Sequence, residues 1–186
     1  MIKPNAVANE KDSPYYVKNE SFCLKFESFI SQLNGKSKGN YNAWSYSVLG
    51  EIKTSRKWIL EYKKSTFSSG NLILSAKSQN LFVSAIWKTE YTSQNIPDFI
   101  IKKRTIKDMV SQLLRKNFSE IKSTSNYILV SDSKSKIIDK LIEILHPLFD
   151  LNEIYKISKL KNVLTIELRT DQHYFNIFNQ INNLNF

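Results

Sequence analysis

Hydrophobic and polar residues change their period several times along the chain, and each change marks a different element. Phe22, Phe26, Phe29, Ile30 and Leu33 recur at helical spacing, which predicts an amphipathic helix with Ser21 as its cap and Gly35 just past its end. A polar loop is expected over residues 36–42. Beyond it Trp44, Tyr46 and Val48 alternate with Ser45 and Ser47, and Trp58, Leu60 and Tyr62 alternate with Lys57, Glu61 and Lys63. That period of two belongs to strands buried on one face. A turn over residues 65–70 leads to a third strand through Leu72, Leu74 and Ala76. A fourth covers residues 81–89, and Phe99, Ile100 and Ile101 begin a fifth after Pro97. Short runs joined by short polar connections fit an antiparallel meander better than crossover units.

Helical spacing returns at Thr105, where Asp108 completes the acidic variant of a capping box and Ile106, Met109, Val110, Leu113 and Leu114 form the stripe. Tyr127, Ile128, Leu129 and Val130 are apolar on both alternating faces, as in a strand covered on both sides. Ser131, Asp132 and Ser133 offer cap oxygens to a helix striped by Ile137, Ile138, Leu141, Ile142, Ile144 and Leu145, which Pro147 should stop. A hairpin is expected around residues 159–162, and Thr170 should cap a last helix carrying Tyr174, Ile177, Phe178 and Ile181. Residues 1–20 are polar, without period, and read as a flexible N-terminal arm in which Tyr15, Tyr16 and Val17 touch the body. The fold class is therefore α+β: an antiparallel five-stranded meander preceded by a helix and followed by a helix-strand-helix-hairpin-helix unit. Residues 21–186 form a single domain with a β-rich sub-lobe (21–105) and an α/β-like one (106–186), no Pro/Gly/Ser linker separating them.

Composition narrows the function classes. The 186 residues are 41% apolar and 12% aromatic, too rich for a disordered chain. No run approaches the roughly 20 apolar residues that cross a bilayer, and no apolar leader opens the chain, so a soluble, cytoplasmic protein is expected. Cys23 is the lone cysteine, which rules out an internal disulfide and a cysteine-rich zinc site. Four glycines, none in a phosphate-cradling pattern, exclude P-loop and dinucleotide fingerprints. His146 and His173 are isolated, no Gly-x-Ser-x-Gly is present, and neither a metal nor a cofactor is expected.

Charge changes the picture more. The net charge is +10, with 23 Lys but four Arg among the bases. A/T-rich coding produces such a Lys, Asn and Ile excess without selection for binding, and scarce Arg argues against base-specific recognition. The excess is nevertheless concentrated. Residues 36–64 carry a net +5, as do residues 99–122, and the remainder is neutral. Lys53, Arg56, Lys57, Lys63 and Lys64 in the first segment, with Lys102, Lys103, Arg104 and Lys107 in the second, are the candidate anion-binding residues. They point to a non-enzymatic binding module for nucleic acid or for an acidic protein or membrane surface.

Two alternatives stand beside it. In WILEYKKS, a strand ends in Glu61-Tyr62-Lys63, with Glu51 ten residues upstream. This resembles the core motif of the restriction-type nuclease superfamily, and the resemblance implies that Glu51 and Glu61 hold magnesium while Lys63 steadies the attacking water. The upstream acid in that family is usually Asp, and a helix follows the motif where Leu72–Ala76 here reads as strand. The other alternative is a structural or protein-binding module that associates, with a partner or with itself, through the Phe22-Phe26-Phe29 stripe.

Overall fold

The computed structural model describes residues 1–53, 56–66, 81–90, 96–105, 108, 118–121, 124 and 126–184. The fold is mixed α+β, and its contacts divide into two units. Met1–Trp87 with Thr170–His173 makes the first, and Lys88–Arg169 with Tyr174–Phe186 the second.

The first unit lays helix α1 (Pro14–Gln32) on a sheet of strand order β1 (Ile2–Pro4), β2 (Lys36–Tyr41), β3 (Tyr46–Lys53), β4 (Lys57–Thr66) and β5 (Leu81–Glu90). The helix starts about two turns before the expected Ser21 cap. Ser13 is the cap, its Oγ accepting the Tyr15 N–H at 3.3 Å, and Pro14 occupies the first turn, where a missing N–H costs nothing. The apolar period missed those turns because Asn19 lies on the buried face. Its amide donates to the carbonyls of Asn42 (2.9 Å) and Ala43 (3.2 Å). At the other end Asn34 takes the left-handed conformation (φ 53°), and the Gly35 N–H closes on Ile30 O at 2.9 Å.

The sheet departs from the expected meander. Residues 36–41, read as loop, are β2, which pairs antiparallel with β3, while β1 joins its other side in parallel. Of the β2 residues Tyr41 alone is buried, so hydrophobic alternation carried no signal there. Trp44 belongs to the turn between β2 and β3 rather than to a strand. The predicted strand through Leu72 and Ala76 lies outside the described residues. At Gly50 of β3, a Cβ would fall 2.5 Å from Ile30 Cδ1 and 2.9 Å from Phe26 Cζ, so α1 rests directly on the sheet backbone.

In the second unit the order is β10 (Val163–Leu168), β9 (Ile154–Leu160), β6 (Phe99–Lys103), β8 (Tyr127–Ser131) and β7 (Phe118–Glu120), with antiparallel neighbours throughout. The strand expected to close a meander, Phe99–Lys103, thus lies between β9 and β8. Helix α2 (Lys136–Asp150) starts at a Ser135 cap and buries Ile138, Leu141, Leu145, Leu148 and Phe149. Pro147 does not stop it. Falling in the last turn, it removes one hydrogen bond while Leu148 and Phe149 gain burial. Asn152 (φ 57°) ends the helix, and the Glu153 N–H returns to Leu148 O at 3.0 Å. Thr170 caps only a local turn, accepting the Gln172 N–H at 3.0 Å; the last helix, α3, is Phe175–Asn182. The expected capping box forms: the Asp108 carboxylate accepts the Thr105 N–H (2.9 Å) and hydroxyl (2.6 Å), and the Asp108 N–H points back to Thr105 Oγ1 at 3.4 Å. The rest of that predicted helix lies outside the described residues.

Candidate functional site

Strand register decides which face each candidate occupies. Tyr41, Tyr46, Val48, Ile52, Trp58, Leu60 and Tyr62 are buried, on the face that α1 covers. The alternate residues therefore lie on the outer face. Across β2, β3 and β4 they fall in three rows: Lys36–Glu51–Ile59, Lys38–Leu49–Glu61 and Asn40–Ser47–Lys63, with Lys53 opposite Lys57 at the β3–β4 end. Lys36, Lys38, Lys53, Lys57 and Lys63 are exposed, whereas Glu51 and Glu61 are half-buried. Five ammonium groups against two carboxylates leave this face at +3.

Two of those lysines were not among the sequence candidates. Lys36 and Lys38 sit in the segment taken for a loop. Their alternation with Ser37 and Gly39 was the available signal, but these half-buried partners are too small or polar to read as hydrophobic.

The nuclease-like residues share this outer face. Glu51 is diagonal to Glu61 across the β3–β4 pair, about 7 Å between backbones. Lys63 Nζ is 2.5 Å from the Glu61 carboxylate. Among the described residues, no three His, Cys, Asp or Glu side chains gather as a metal site.

Lys64, one residue on, turns to the covered face. It is buried, donating to Asn19 Oδ1 at 3.1 Å with its ammonium 6.0 Å from the Tyr46 ring centroid. Burial lowers its pKa, and Lys18 adds to the effect while Asp171 opposes it. Arg56 is half-buried in the connection before β4.

Of the bases in the second segment, Lys102, Lys103 and Arg104 are among the described residues. Lys102 Nζ lies 2.7 Å from the Asp108 carboxylate, and hydrogen bonds from Lys102 and Thr105 hold that carboxyl below the usual range. Lys103 is exposed at the end of β6, Arg104 is half-buried and donates its N–H to Asn126 O at 2.8 Å, and Lys107 is outside the described residues.

The phenylalanine stripe is interior. Phe22, Phe26 and Phe29 are buried within the first unit, with Phe22 stacked on Tyr46 at 4.4 Å and Phe26 edge-on to Tyr62 at 5.3 Å, so the stripe is not a surface for a partner. Cys23, on the same helix, is fully buried, and burial pushes its thiol up to about 12, which leaves it inert at neutral pH. His146 pairs with Asp150 one turn along α2 at 3.0 Å. His173 stacks on Phe22 with ring centroids 3.8 Å apart, and its Nε2–H donates to Phe22 O at 3.0 Å. Burial lowers its pKa to about 4, Lys25 contributing in the same direction and the hydrogen bond opposing.

No helix among the described residues is long and apolar enough to cross a membrane. No family model, no curated protein and no solved structure matches this chain, so its chemistry is read from its own residues.

Proposed function

We propose that the chain is a binding module whose first unit takes up nucleic acid by its phosphates, on the outer face of β2, β3 and β4. The sidedness of Lys36, Lys38, Lys53, Lys57 and Lys63 carries this reading: the reverse face of the same strands is covered by α1 and its one lysine, Lys64, is buried against Asn19, so the exposed positive charge points one way. Within β2, Lys36 and Lys38 stand two residues, or roughly 7 Å, apart. Lysine on a flat sheet neutralises phosphate as a point charge without reading bases, which fits a chain with few arginines. The test is retention on an immobilised oligonucleotide as salt is raised. Wild type is expected to bind at low salt, and the double variant Lys36→Glu/Lys38→Glu to lose binding together with about 1.5 of the log–log salt slope. Equal retention of both proteins, or no retention of wild type at low salt, sinks the reading.

A second reading is favoured by the shared face of Glu51, Glu61 and Lys63: magnesium-dependent cleavage of the bound strand, with the two carboxylates on the metal. It requires Lys63 to leave Glu61 when metal enters. Cleavage abolished in Glu61→Gln supports it, and a wild type inert with several substrates and divalent metals removes it.

A further inference from the structure

An aromatic pair sits at the β2–β3 turn, between residues far apart in sequence. Trp44 is 51% exposed and Tyr15 60%, and their rings stack with centroids 6.4 Å apart at 28°. Neither ring is on a loose segment. Asn42 Oδ1 accepts the N–H groups of Trp44 (2.9 Å) and Ser45 (2.8 Å) and the Ser45 hydroxyl (3.1 Å). The carbonyls of Asn42 and Ala43 are held by the buried Asn19 amide. Tyr15 rides on the first turn of α1, fixed by the Ser13 cap and Pro14. The turn is closed by Asn42, Asn19 and Ser45, and none of those bonds needs an indole at position 44. Leaving a large aromatic ring half in water forgoes burial that the fold could otherwise gain.

The surroundings indicate what the indole meets. The turn joins the strand ends where Asn40, Ser47 and Lys63 make the outermost row of the lysine face. That row offers amide and hydroxyl groups, suited to base edges, and the Lys63 ammonium, suited to a phosphate, on the face opposite the helix that carries Tyr15, so a strand reaching both passes round the turn. Base on aromatic is a sequence-tolerant contact, and it requires an unpaired base, since duplex bases are already stacked on one another.

We propose that Trp44, backed by Tyr15, is a stacking platform for an unpaired base of single-stranded nucleic acid whose phosphates lie on the lysine face. This rests on the nucleic-acid reading above and names its substrate as the single strand. The other tryptophans, Trp58 and Trp87, are fully buried, so quenching of the exposed indole by a ligand reports on position 44.

The experiment titrates wild type, Trp44→Ala, Trp44→Phe and Tyr15→Ala with oligothymidylate, the matching duplex and anionic phospholipid vesicles. Fluorescence and salt-dependent affinity are the readouts. Oligothymidylate is expected to quench wild-type fluorescence. Trp44→Ala should weaken single-strand binding about tenfold or more without changing the salt slope or duplex affinity, and Trp44→Phe should recover most of the loss. Near-ultraviolet dichroism from Trp58 and Trp87 verifies that each variant is folded. Single-strand binding that neither quenches the indole nor weakens in Trp44→Ala overturns the platform and leaves the lysine reading standing. Absence of all nucleic-acid binding at low salt removes both. Quenching by vesicles but not by oligothymidylate assigns the rings to a lipid surface and overturns the proposal.

Discussion

Asn19 joins three things that the chain order keeps apart: the middle of α1, the β2–β3 turn through the Asn42 and Ala43 carbonyls, and the buried Lys64 ammonium. Truncating it strands two carbonyls and a cation together, each a buried polar group left without its partner. Asn19→Ala is expected to cost about 2–3 kcal/mol in urea unfolding. A loss below about 0.5 kcal/mol would mean that water replaces the amide. His173 makes a second residue-scale prediction. Its folded pKa is about 4, below the ordinary 6.5. The unfolded chain therefore binds the proton first. Stability is full above pH 6.5, falls as pH drops from 6.5 towards 4, and then levels off, by up to about 2 kcal/mol after allowance for the partly exposed ring. His173→Phe keeps the stack on Phe22 and should flatten the wild-type slope in that window. Parallel pH profiles for the two proteins would place the acid sensitivity elsewhere.

At the scale of elements, close approach of α1 to the sheet is what Gly50 permits. Gly50→Ala puts a methyl against the Ile30 and Phe26 side chains, at distances real side chains do not tolerate, so those side chains must shift or the helix must lift from β3. A loss of about 1–3 kcal/mol is expected, partly recovered by Ile30→Val in the same chain, with thermal melts as the measure. Elements also show which sequence signals were sufficient. The stripe Ile138, Leu141, Leu145 read correctly as a helix face because its members bury together on α2. The Thr105–Asp108 box was legible because a cap is a local bond. Strand β2 was not legible, since KSKGNY offers one buried side chain and is held by main-chain bonds to β3 and β1. The first turns of α1 were missed because a polar side chain, Asn19, takes a core position. Pro147 misled because its effect depends on where in the helix it falls.

For the whole molecule, the two basic segments have equal net charge in sequence, and their described lysines have different surroundings. Lys36, Lys38, Lys53, Lys57 and Lys63 share one exposed sheet face, with Lys63 paired to Glu61, whereas Lys102 is half-buried and engaged by Asp108. Charge reversal should separate them. Lys102→Glu sets two acids side by side, so it should lower stability by about 1 kcal/mol and leave oligonucleotide affinity within about threefold. Lys36→Glu/Lys38→Glu should do the opposite. Comparable losses of affinity in both variants would extend the binding surface to the second segment.

The sequence by itself determined the α+β class, most helices and strands, the lone cysteine and the size of the charge excess, because periodicity, caps and composition are carried by neighbouring residues. Tertiary structure alone decided that residues 36–41 join a sheet, that Lys64 is buried against Asn19, and that Tyr15 stacks on Trp44. Those outcomes depend on which segments meet and in what register, and a shift of one residue along a strand exchanges its buried and exposed faces.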